Sequence, residues 1–189
     1  MKSTGFRCSV VFLAILAPAV AAAQREEPVL IFEHRKIAVV VPSGFSFASA
    51  RDRAGLVNLD LADAEKAVNL HVVFLPDPEG LALPARSRTE RIVELFDDLV
   101  AGSVEKAMRF EELEPRTGVG TYCVFTDAKL AAQANFPPGE YLHLTVGVKG
   151  WRGVMVVFRL FSNDTNSASY RAALKLLRES VEEKPVPLR

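Results

Sequence analysis

The chain has 189 residues, with 23 Lys and Arg against 23 Asp and Glu. Balanced charge gives no electrostatic footprint for nucleic acid, and two cysteines cannot staple a disulfide scaffold. A chain of this length buries roughly two-thirds of its unfolded surface as one domain, so its fold needs no small-scaffold support.

Lys2 and Arg7 precede an uncharged apolar run from Cys8 to Val20, then Ala21-Ala22-Ala23 ahead of Gln24-Arg25-Glu26-Glu27. Charged, apolar and small segments in that order are the signal-peptide pattern, which predicts residues 1–23 as a leader cleaved before Gln24. The apolar run, about 13 residues, is short for a span of a ~30 Å hydrocarbon layer. Cys8 lies at the start of that run, where lipid attachment at a cleavage point does not place it. Cleavage removes Lys2 and Arg7, leaving 21 basic residues against 23 acidic, a net charge of −2. The expected product is an exported 24–189 α+β domain with no later membrane span, periplasmic if the source is a Gram-negative bacterium and otherwise secreted. Cys123 then stands alone in the strand-like run Thr121-Tyr122-Cys123-Val124-Phe125 and reads as an inert buried thiol.

Val29 to Phe32 and Ile37 to Val41 read as strands, the second ended by Pro42-Ser43-Gly44. Phe45 to Phe47 and Leu56 to Leu61 alternate apolar with polar residues, and a charged turn leads into Val68 to Leu75. Pro76-Asp77-Pro78-Glu79-Gly80 is a loop, since proline gives a sheet no amide proton. The period then changes: Ile92, Leu95, Phe96, Leu99, Val100 and Met108 mark one helical stripe, with Ser87 and Glu90 as a capping box. Strands return at Gly118 to Thr126, Tyr141 to Val148 and Val154 to Phe161. The last two are joined by a tight hairpin through Lys149 to Gly153. Cap formers from Ser162 to Ser167 introduce a helix carrying Tyr170, Ala173, Leu174, Leu177 and Val181, stopped by Pro185 and Pro187.

Hairpin-length connections predict an α+β fold with a mostly antiparallel sheet flanked by helices. Consecutive apolar residues at Val39 to Val41, Val72 to Leu75 and Val154 to Phe158 predict cover on both sheet faces. The order of these elements, with the turn Val41-Pro42-Ser43-Gly44-Phe45, resembles the Mog/PsbP-like fold of PsbP and of DcrB-type bacterial envelope proteins. That resemblance spans about Val29 to Val181. It implies an α/β/α sandwich acting through a partner without catalysis, and it carries no functional residue onto this chain.

The sequence holds no His-Glu-x-x-His, no Gly-x-Ser-x-Gly and no Walker loop. Gly118-Val119-Gly120 runs into a strand where a dinucleotide fingerprint would open a helix. No cofactor is called for. His71 and His143 sit in strands, and on one sheet face they would make a small-ligand or metal site, although zinc normally takes three protein ligands. His34 lies in a charged turn, and the carboxylates Asp60, Asp63, Glu65, Asp97 and Asp98 read as a solvated surface. Trp151 and Arg152 fall at a hairpin tip, where the ring either folds back on the sheet edge or, as an aromatic beside a cation, anchors a partner. The leading expectation is an exported, non-enzymatic domain that binds or stabilises an envelope protein. Its alternatives are ligand or metal binding through His71 and His143, and a hydrolase with a nonstandard site.

Overall fold

The computed structural model describes residues 24–32, 35–133, 137–179 and 181–184, the last four in backbone only. The expected leader, His34 and the stops Pro185 and Pro187 lie outside the described residues. Within them the fold is α+β, and every strand pairing is antiparallel.

Two sheets form where the sequence suggests one. β1 (Arg25–Phe32), β2 (Arg35–Val41) and β10 (Val181–Lys184) make a small sheet in the order β1-β2-β10. β3 (Phe45–Arg51), β4 (Val57–Asp63), β5 (Val68–Pro76), β6 (Glu111–Glu112), β7 (Val119–Thr126), β8 (His143–Trp151) and β9 (Val154–Ser162) make a large one, ordered β3-β4-β5-β9-β8-β7-β6. The helices are α1 (Ala85–Phe96), α2 (Asp98–Gly102), α3 (Ala128–Ala131) and α4 (Ala168–Glu179).

Alternation decides what each face of the large sheet buries. Leu59, Leu61, Leu70, Val72, Phe74, Val156, Phe158 and Leu160 turn inward to one core, closed by α4 and by Val29, Ile31, Ile37, Val39 and Val41 of the small sheet. Each such side chain, fully buried, contributes roughly 1.5–3 kcal/mol. On the opposite face α1 packs Ile92 and Phe96 against Cys123, Val146, Val148 and Met155. Toward the first core Gly147 is required: it pairs with Phe158, whose ring would lie 2.3 Å from an added Cβ.

Three local expectations change. The capping box does not form, because α1 begins at Ala85 after an extended Pro84 and so already contains Ser87. The long helix stops at Phe96, α2 ends at Gly102, and Met108 lies outside both. Val181 leaves the last helix and pairs with Val39 as the first residue of β10. The start of α4 follows its cap formers, with Ser167 Oγ accepting from the Tyr170 N–H at 3.1 Å.

Arg88 anchors α1. Its side chain is 3% exposed and donates through Nε to Thr121 Oγ1 (2.9 Å), through Nη1 to the Ala82 and Leu83 carbonyls, and through Nη2 to Glu112 (3.3 Å). Arg88→Leu keeps apolar bulk but strands the buried Thr121 hydroxyl and Ala82 carbonyl. It should cost about 2–4 kcal/mol, read as a lower urea midpoint at unchanged slope.

Candidate functional site

α1 covers β7 and β8 but stops short of β5, so a strip of its sheet face stays open. Across β4 and β5 that strip carries the polar Asn58, Asp60, Asn69 and His71, with the small Ala48 beside them on β3. Between this polar part and α1 the face turns apolar and sinks into a groove of about 520 Å³, walled by Val73, Leu75, Met155, Val157, Leu81 and Leu95. Leu81 and Leu95 stay 52% and 41% exposed, and Leu83 is exposed beside them in sequence. Large apolar side chains concentrated this way mark an interaction or ligand surface.

The loop from Asp77 to Leu83 forms one wall and is held firmly. Asp77 is buried, and its two carboxylate oxygens accept the Leu81 N–H at 2.7 Å and the Ala82 N–H at 2.9 Å. Its own N–H donates to the Gly153 carbonyl at 2.9 Å. Arg91, on the rim, donates to Glu94 at 2.7 Å. These pairings engage Asp77 and Arg91 within the protein, and exposed Glu79 is the third charged residue of the lining.

A second groove of about 370 Å³ opens farther along the same face, among Leu99, Phe125, Tyr141, Leu144 and Phe161. Met155 and Val157 of β9 belong to the first groove and Phe161 to the second. The six residue steps of extended strand from Met155 to Phe161 therefore set these two residues ~20 Å apart. Arg159 lies between them, its guanidinium 5.3 Å from the centre of the Phe96 ring.

The histidines are not brought together. His71 pairs with Arg159 and, through β9, shares a row with Val146 on the α1 face. His143 pairs with Ser162, which pairs with Val68 on the α4 face. The two imidazoles thus sit on opposite faces with β9 between their strands, and the site expected from them does not form. Among the described residues there is no group of three or more metal-ligating side chains. His71 contacts Asp60 and meets the Phe161 ring edge-on at 5.8 Å.

His143 joins a different network. Glu105 accepts the Thr126 N–H at 2.9 Å and the Thr126 hydroxyl at 2.7 Å. That hydroxyl has spent its proton, so His143 Nδ1, 3.1 Å away, is the donor to it. Burial holds His143 below its ordinary value, against the opposing pull of Glu105 and Asp164. Burial acts to raise Glu105, but the two Thr126 donors outweigh it and leave the carboxyl below its usual range. Both groups bind protons more readily unfolded, so stability is complete at neutral pH and is lost as pH falls. The His143 part goes below about pH 6.5 and the Glu105 part below about pH 4.3. His143→Gln should therefore flatten the decline in urea midpoint between pH 7 and pH 5.5.

Trp151 does not stand at a hairpin tip. The turn is only Arg152-Gly153, with φ of 41° and 77°, a primed two-residue turn that carries β8 through to Trp151 paired with Val154. Trp151 is 3% exposed in the larger core, with the Arg35 guanidinium 5.5 Å from its ring centre, and Arg35 donates to the Arg152 carbonyl at 2.7 Å. A buried ring is a packing residue and not an anchor; Arg152 alone is exposed. Trp151→Ala should cost about 3–5 kcal/mol in chemical denaturation, so it reports on folding and not on binding. Cys123 is buried as expected, its thiol pushed up to about 12 by desolvation. Sequence does not reveal the grooves because their walls come from separate elements, β5, β9, the loop and α1 for the first and α2, β7, β8 and β9 for the second; the available signal is Val73 and Leu75 on the second face of β5. No protein-family model matches the chain, and no curated protein matches it.

Proposed function

We propose that this chain is an exported, non-catalytic binding domain that receives an apolar segment of a partner protein in the valley along β9. The carrying observation is the alignment of two open, apolar-walled grooves on one sheet face, about 20 Å from Met155 to Phe161. That length suits a row of side chains from a helix or extended segment better than one compact small molecule. Small-molecule pockets normally add a few convergent polar groups, whereas in the first groove Asp77 is committed to its own loop and Arg91 to Glu94, leaving Glu79 at the rim. The leader-like start and the element order resembling Mog/PsbP-like proteins support an envelope setting.

A photocrosslinking amino acid placed at Leu95, with Asp60 as the polar control position, tests this in the cell that makes the protein. The expected product is one discrete protein adduct from position 95, with none from position 60, and mass spectrometry should find an apolar peptide of the partner attached. Leu81→Asp changes an exposed side chain and should leave the urea midpoint within about 0.5 kcal/mol of the parent while abolishing the adduct. A lipid-mass adduct, no adduct, or a protein adduct indifferent to Leu81→Asp would each overturn the reading.

A further inference from the structure

We propose that the large sheet continues into a second copy of this chain through β3, two β3 strands pairing antiparallel about a twofold axis at Ala48. β3 is the end strand and is bonded on one side only, to β4. Among the described residues its outward backbone groups meet no partner beyond the Phe45 N–H, which donates to the Pro42 carbonyl.

Exposed edges are normally blunted by short strands, charge, proline or bulges. The opposite end of the sheet is β6, two residues long and both glutamate. In the small sheet β1 carries Glu26, Glu27, Pro28 and a register break between Leu30 and Phe32. β3 is not short, holds no proline or bulge, and carries a single charge, Arg51, only at its last position. It runs Phe-Ser-Phe-Ala-Ser-Ala-Arg for seven residues in unbroken register with β4. An edge of that length without protection is a template for another strand.

Its charge selects the partner and the direction. Arg51 is the only charged residue of β3. A parallel mate would set two Arg51 side chains abreast. In the antiparallel register that pairs all seven residues, Phe45 meets Arg51 and Ala48 meets Ala48, which separates the two guanidinium groups by ~20 Å along the strands, beyond the ~8 Å Debye length. Since Phe45 also pairs with Asp63, each Arg51 falls in a row with Asp63 of the second copy, two strands away on the same face. Ala48 is exposed and small, so the centre closes without a clash. The surface is separate from the β9 valley, and this inference stands without the proposed function.

Sedimentation of the purified protein over a concentration series tests it, with Ala48→Glu and Ala48→Lys as variants. The parent should show a monomer–dimer equilibrium. Each variant alone should be monomeric with a parental urea midpoint, and an equimolar mixture should restore the dimer through the Glu–Lys pair. Ala48→Cys should link two copies on mild oxidation, because directly paired Cα atoms stand 4.5–5.5 Å apart, within disulfide range. A parent that stays monomeric at every concentration, a dimer unaffected by both single variants, or a mixture that fails to reassociate would overturn the proposal.

Discussion

One buried guanidinium sets how far the cover over the large sheet extends. Arg88 cannot reach water, so its donors must find acceptors inside, and those acceptors belong to three separate pieces of chain: Thr121 on β7, the Ala82 and Leu83 carbonyls, and Glu112 on β6. Satisfying them draws α1 onto β7 and β8 and pulls the loop in behind it. The loop then passes so close that a Cβ on Gly150 would lie 2.4 Å from the Ala82 carbonyl oxygen. A helix drawn to that side of the sheet cannot also cover β5. The apolar valley is the remainder.

The two faces solve burial differently. On the α4 face the small sheet and the helix close the core, and the polar groups inside it are joined: Thr145 Oγ1 lies 2.8 Å from the Tyr170 hydroxyl, and Lys149, 1% exposed, donates to the Leu177 carbonyl near the end of α4. A cation there also favours the negative end of the helix dipole. The α1 face has one long helix for seven strands, so its far part stays polar and its middle stays apolar and partly open. The open grooves follow from this unequal cover.

Much of the fold was legible because its signals are local. Alternation in Val57-Asn58-Leu59-Asp60-Leu61 assigned the strand and its inward face. Ser167 located the start of α4, and the apolar surroundings of Cys123 foretold its burial. Errors arose where a neighbour outweighed a local pattern. Ser87 and Glu90 spell a capping box, but Pro84 starts the helix earlier. Val181 keeps helical spacing, yet β2 offers its backbone a strand partner. Trp151 looked like a tip because the two-residue turn with positive φ at Arg152 carries no sequence signal for arginine in that conformation.

By itself the sequence determined which residues of each strand share a face, because side chains alternate with a period of two along any strand. It also determined that β5 is apolar on both faces from Val72 to Leu75. Only the tertiary structure decided how the faces of different strands correspond. That depends on the register through each intervening strand, and a shift of one residue exchanges the faces. For this reason His71 and His143, each readable within its own strand, lie on opposite sides of the sheet once β9 is placed between them, while Val73, Val157 and Leu95, unremarkable along the chain, meet in one groove.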